Sequence, residues 1–339
     1  MAGDPVPRTW SVAIFASREN SATLCSAVQA AVVAAAGVPA CVDVLVNGNE
    51  QLALETAERL PRLRLEPGGS TAIRVWHIIV ADKAHAWNEY LHELWPDSEV
   101  AFFVDGYAQV RPDAFALLSE GLTNNPNVLA ASGVPSMGRS ARLMRRSAQQ
   151  GAAGHGNLHA LRGEVCRQLR ERGFRLPLGV YWTDGIVLGV VCFGLDPVRN
   201  EWDQSRILAH LQATWWFRPL AWWRLRDLWA HGKRMMRQAR GRLENLAIRE
   251  HLHLQRNPAE SLPRTASELV QRWLEASPSR ARRIFLRQPL CFFAARNLRR
   301  PRDWSQTALP PRLLARRDSA GSEQESLCSS SANLPVTNC

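Results

Sequence analysis

From residue 10 to residue 134, short runs rich in β-branched and aromatic residues alternate with longer stretches whose apolar positions recur every three or four residues. The short runs predict strands over 11–16 (SVAIFA), 41–49, 73–80, 100–105 (VAFFVD) and 128–134. The longer ones predict helices over 19–37, 50–60, 82–94 and 112–122, the first with Asn20 or Ser21 as N-cap and Gly37 as its stop. Strict alternation of this kind predicts βαβ units in a mostly parallel sheet with helices on both faces. Ligands of such sheets sit at the carboxyl ends of the strands. One rim is therefore expected to carry Ala16-Ser17-Arg18, Asn47-Gly48-Asn49, Asp82-Lys83 and Asp105-Gly106. Residues 136–156, rich in Ser, Gly, Arg and Gln, read as a mobile loop, and a further helix is expected near 163–173.

Beyond residue 200 the pattern changes. Leu225, Leu228, Trp229, Gly232, Met236, Ala239, Leu243 and Leu246 form one helical stripe, with Arg226, Arg234, Arg237 and Arg240 off it. Residues 318–339 are Ser-rich and are expected to be disordered. Three parts follow: 1–200 as an α/β domain, 201–317 as a basic helical region, and 318–339 as a tail.

Charge sharpens that division. The formal net charge is +11 over 339 residues, but 201–317 carry 24 Lys+Arg against 9 Asp+Glu, while the rest carry 18 against 22. The basic half calls for an anionic partner: a membrane, nucleic acid or a phosphorylated acceptor. No zinc-finger, RNP or helix-turn-helix pattern accompanies the arginines, so nucleic acid is not expected. Lys83 and Lys233 are the only lysines, an Arg bias that fits a GC-rich bacterial genome. The seven scattered cysteines lack any metal spacing and fit a reducing, cytoplasmic setting. No secretory signal is visible, and the apolar window 27–46 is broken by Gly37-Val38-Pro39. Trp215, Trp216, Trp222 and Trp223 stand just before the stripe, and tryptophan favours the membrane–water interface. Segment 213–246 is thus expected to hold the protein peripherally on the cytoplasmic face of an inner membrane, with packing on the α/β domain as the competing use.

G-x-G-x-x-G, G-x-x-x-x-G-K-[ST] and H-E-x-x-H are all missing, which removes ordinary dinucleotide, P-loop and zincin chemistry. What remains is an ordered set of segments over about residues 10–195: Ala16-Ser17-Arg18-Glu19-Asn20, Asp43 to Asn49, Lys83 to Glu89, Val104-Asp105-Gly106-Tyr107, Gly156 to Arg162, and Trp182-Thr183-Asp184-Gly185. In order and spacing they resemble the family 2 glycosyltransferases, which have the GT-A fold. The resemblance implies a Rossmann-like sheet, a nucleotide-sugar donor and a glycan or lipid-linked acceptor, as in polysaccharide synthesis. It implies donor contacts from Ala16, Arg18, Asn47, Lys83, Asn88, Asp105, Asn157 and Arg162. Asp105 then falls where the family's D-x-D holds Mg²⁺ or Mn²⁺, and Asp184 where the family has its catalytic aspartate.

The chemistry agrees with that assignment. Transfer needs the leaving diphosphate neutralised and the acceptor hydroxyl deprotonated. One carboxylate, Asp184, suffices as base for a direct, inverting displacement; as a plain structural residue it would instead cap a helix starting at Gly185. Tyr107 departs from the pattern, because it replaces the second acid of D-x-D. Either Asp105 holds a weakly fixed metal with phosphate bridging, or Arg18, Arg111 or Arg162 replaces the metal. His210 and His251 are candidate later ligands by order alone. The alternative function is a non-catalytic binder of sugar nucleotides or carbohydrate that has lost D-x-D.

Overall fold

A computed structural model describes residues 9–65, 70–137, 139–149, 156–217 and 225–318. Its centre is a nine-stranded sheet: β1 (Trp10–Ala16), β2 (Ala40–Asn47), β3 (Thr71–Ile78), β4 (Val100–Asp105), β5 (Gln109–Val110), β6 (Ala130–Pro135), β7 (Leu158–Arg162), β8 (Ile207–Trp216) and β9 (Arg312–Asp318), in the order β5-β8-β6-β7-β4-β1-β2-β3-β9. β4, β1, β2 and β3 run parallel, as the alternation predicts. Antiparallel strands flank them: β7 on β4 and β9 on β3.

Both faces are apolar, so alternate residues of each strand feed two cores. Val12, Ile14, Val42, Val44, Phe102 and Val104 pack under the helices Ser21–Ala34, Glu50–Arg59 and Ala114–Thr123. Ala13, Phe15, Leu45 and Phe103 face the other way, towards Trp87, Tyr90 and the helix Thr183–Cys192. The N-cap Asn20 accepts from Thr23 N at 2.8 Å, which fixes where the first helix begins.

The second half of the chain joins this sheet. β8 and β9 come from 201–317, a region expected to be helical, and from Asp318, which closes β9 and was expected to open the disordered tail. A boundary at 200 therefore marks a change of composition, not the edge of the sheet. From Ala239 the stripe of the helix Leu225–Arg249 lies in the core: Ala239, Leu243, Ala247 and Ile248 are buried and Leu246 packs beside them. Trp215 is also buried, on β8. This part of 213–246 packs into the core beside the sheet and is not open to a membrane. Trp222, Trp223 and the side chains of Leu225, Leu228 and Trp229 lie outside the described residues. So do 150–155 of the expected loop, of which 139–149 is a helix, and residues 319–339 of the expected tail. No described helix is long and apolar enough to cross a membrane.

One charge inside the sheet is held by a built partner. Asp43, on β2, is fully buried. Arg74 of β3 forks onto it, Nε to Oδ1 at 2.6 Å and Nη2 to Oδ2 at 2.9 Å, and the Trp76 indole donates to Oδ1 at 2.8 Å. Burial still raises the Asp43 pKa, with the Arg74 contacts opposing it. Removing one partner of such a pair leaves an uncompensated charge in the core. Arg74→Ala is expected to cost about 3–5 kcal/mol of unfolding free energy, read by urea denaturation; a loss below about 1 kcal/mol, the scale of an exposed pair, would contradict the assignment.

Candidate functional site

The carboxyl ends of β1, β2 and β4, together with the turn after β3, open into one cleft of about 820 Å³. Of the residues singled out from sequence, Ala16, Arg18, Asn47, Lys83, Asp105, Asn157 and Asp184 line it. Asp105 ends β4, and Gly106 turns the chain away at once. A Cβ on Gly106 would stand 2.8 Å from the Ala16 Cβ and 2.9 Å from the Phe15 carbonyl, so only glycine lets β4 end this close to β1.

Asp105 is the hub of the polar network. Lys83 Nζ donates to its Oδ1 at 2.5 Å. The Tyr107 hydroxyl and the Asn157 amide donate to Oδ2 at 3.0 and 2.7 Å. Asn157 reaches this position because β7 runs antiparallel to β4 and starts at the rim, with Asp105 N donating to its carbonyl at 3.1 Å. Burial works to lower the Lys83 pKa, but the charges of Asp105 and Asp184 outweigh it and the pKa is raised. Lys83 is therefore an ammonium at every working pH. The Tyr107 phenol is held neutral, by burial and by the Asp105 charge.

Asp184 lies in the first turn of its helix, where a negative charge is favoured by the helix dipole. It does not cap that helix; the cap position is Trp182 and no side chain bonds there. A Cβ on Gly156 would lie 1.9 Å from the Asp184 carboxylate, so the glycine gives that carboxylate its place. Among the described residues no hydrogen bond or ion pair engages the Asp184 carboxylate, which lines the cleft. Beneath the cleft His159 stacks on Phe103, with ring centroids 4.9 Å apart. Burial pushes its pKa down to about 4, so at neutral pH it adds no charge to the site.

The walls are tied by side-chain bonds to backbone. Asp82 caps the helix Lys83–Glu89 through His85 N at 3.1 Å and holds the facing loop through Gly179 N at 2.9 Å. Asn47 bridges Ala16 O at 2.8 Å and Asp82 N at 3.1 Å. Glu19 accepts from the backbone of Ser17 and Arg18 at 2.8 and 2.9 Å.

Two predicted contacts lie elsewhere. Asn88 is buried and pairs with Leu176, donating to its carbonyl at 3.0 Å and accepting from its N–H at 2.8 Å. Arg162 sits at the far end of β7, where its guanidinium donates to the carbonyls of Leu122, Asn125 and Val128. Arg111 is exposed beside Asp113 and does not line the cleft. His210 accepts from Ala213 N at 3.1 Å on β8, and His251 bonds Ser261 and Asn257; neither lines the cleft.

Three cleft arginines were not expected: Arg237, Arg240 and Arg302. Arg240 is braced by buried Glu244 at 2.7 Å and by the Gly179 carbonyl, and Arg302 donates to the Ala81 carbonyl at 3.1 Å. Arg237 and Arg240 are three apart on one helix and off the apolar stripe, a spacing visible in the sequence. Tyr181 and Trp182 add an aromatic wall beside them.

The donor set does not suit a resident divalent cation. Mg²⁺ and Mn²⁺ want oxygen ligands. Both oxygens of Asp105 already accept from Lys83, Tyr107 and Asn157, and the nearest of these donors is itself a cation. No cluster of three or more His, Cys, Asp or Glu suited to a metal exists among the described residues.

No protein-family model matches the chain, and no curated protein matches it in sequence. Solved structures do match in fold. The mannosyltransferase PcManGT from Pyrobaculum calidifontis, in complex with GDP-Man and Mn²⁺, aligns at TM-score 0.51 and 16% identity, over 86% of this chain and 84% of its own. Glucosyl-3-phosphoglycerate synthase from Mycobacterium tuberculosis, in complex with Mg²⁺ and uridine diphosphate, aligns at TM-score 0.43 and 15% identity, over 71% and 79%. The first likeness shows the architecture: the chain has the GT-A fold of nucleotide-sugar glycosyltransferases.

Proposed function

We propose that the protein is a glycosyltransferase of the family 2 type, moving a hexose from a nucleotide sugar to a hydroxyl of a glycan or lipid-linked acceptor with inversion. One observation carries this reading: the free Asp184 carboxylate and the Lys83–Asp105 pair line the same cleft of a GT-A fold. Asp184 takes the proton from the acceptor hydroxyl as its oxygen attacks the anomeric carbon. The bond from that carbon to the diphosphate breaks with its electrons going to the diphosphate. The Lys83 ammonium and the guanidinium of Arg18 or Arg237 meet the charge that develops on the leaving group. Asp105, Tyr107 and Asn157 hold Lys83 and offer polar groups to the donor's sugar or ribose.

Tyr107 in place of a second acid favours one other reading, a protein that binds sugar nucleotides without turning them over. Transfer or donor hydrolysis in a panel that includes GDP-mannose and UDP-glucose separates the two. Under the first reading, Asp184→Asn lowers kcat by about 10²–10⁴, the usual contribution of a general base, and leaves donor affinity nearly unchanged. Asp105→Ala releases Lys83 and Tyr107 and weakens donor binding instead. An Asp184→Asn enzyme with wild-type turnover would remove this carboxylate from the mechanism.

A further inference from the structure

We propose that the Lys83 ammonium occupies the place a divalent cation takes in a metal-dependent sugar transferase, so that this protein binds a nucleoside diphosphate without metal. The inference rests on the reading of the cleft as a nucleotide-sugar site. Lys83 begins the helix Lys83–Glu89, whose cap Asp82 is buried and doubly bonded, so the backbone that carries it is fixed. Its Nζ lies 2.5 Å from Asp105 Oδ1 and 5.6 Å above the Phe15 ring, two attractions that hold the charge at the rim. An ammonium has three N–H donors, and Asp105 takes one. The other two are available to phosphate oxygens. The remaining oxygen of Asp105 is closed to a metal by Tyr107 and Asn157, which donate to it and lie 2.5 Å from one another. Tyr107 is thus part of the replacement: where a second carboxylate would draw a metal in, its hydroxyl orients Asp105 towards Lys83.

Calorimetric titration of GDP and UDP into the full chain, in EDTA and then with Mg²⁺ or Mn²⁺, tests this. At least one diphosphate is expected to bind in EDTA, with an affinity that metal changes by less than about threefold, under half of the 1.4 kcal/mol that a tenfold change represents. Lys83→Gln, checked for an unchanged melting profile, is expected to weaken that binding about tenfold or more, as loss of a charge-assisted phosphate contact does. Binding that appears only with metal would overturn the proposal and leave the nucleotide site intact. Wild-type affinity in Lys83→Gln would overturn it too. No binding under any condition would remove the nucleotide reading together with this one.

An independent observation carries a second inference. The helices Pro278–Arg287 and Pro289–Leu298 leave Leu286 76%, Phe293 54% and Phe292 49% exposed around a groove of about 550 Å³. Between Glu275 and Asp303 the chain has eight arginines and no acid; Arg282 and Arg299 line this groove, and Arg283 and Arg287 are exposed on the same helix as Arg282, while Arg280 pairs with Glu250 and Arg302 lines the cleft. Apolar anchors ringed by unopposed cations are the chemistry of an anionic bilayer surface. We infer that this face, and not the buried stripe after Ala239, docks the protein on anionic lipid. Co-sedimentation with phosphatidylglycerol-containing and pure phosphatidylcholine vesicles tests it. Binding to the first alone, weakened by salt and cut about tenfold or more by Phe292→Ser with Phe293→Ser, which removes two large apolar anchors, is the expected result. No binding at low salt would overturn the inference. So would binding that the double variant leaves intact, or a dimer in light scattering that the double variant abolishes while vesicles stay bare.

Discussion

The carboxylate of Asp105 has to be balanced at the rim of the sheet, and much of the cleft is arranged around how that is done. It ends an apolar strand, so its charge meets the cleft with five buried residues behind it. Lys83 comes from the segment after β3, Tyr107 from the turn after β4 and Asn157 from the residue just before β7. Three parts of the chain far apart in sequence are thereby tied to one atom pair. Asp184 stands across from them, and its charge, like the charge of Asp105, raises the Lys83 pKa. The same side chains that hold the pair together fill the oxygens a metal would use, so the electrostatics and the assembly of the cleft are one arrangement.

The central strands and the order of the rim segments were legible because β1 and β4 are buried on both faces and read as nearly continuous apolar runs, and because β2 and β3 stay β-branched and apolar around Asp43, Arg74 and His77. Asp105 lies where the run VAFFVD ends. What the motif order misplaced, geometry explains. Arg162 follows Asn157 by five residues on an antiparallel strand rising about 3.3 Å per residue, which carries it to the opposite end of the sheet. Asn88 follows Lys83 by five residues on a helix, and about 100° per residue turns it inward to Leu176. β8 and β9 escaped because their sequences, ILAHLQATWW and RLLARRD, mix polar and charged residues into strands that are only partly covered. The helix Arg139–Gln149 is so rich in Ser, Arg and Gln that composition pointed to a loop.

The basic half turns out to have several uses. Arg237, Arg240 and Arg302 turn into the cleft, while the arginines between 280 and 300 stand mainly on the outer helices. Arg316 and Arg317 belong to β9 and pack at the edge of the sheet, Arg317 donating to the carbonyls of Leu60, Pro61 and Leu63. Net charge alone cannot separate these roles, because it is blind to the direction of a side chain.

The chain's two lysines make the central claim directly observable. With lysine labelled by ¹³C at Cε, Lys83 and Lys233 give two NMR signals, assigned by Lys233→Arg. Addition of the nucleoside diphosphate in metal-free buffer is predicted to shift the Lys83 signal. A nucleotide that binds while the Lys83 signal stays where it was, or that moves it only once Mg²⁺ is added, would contradict the account.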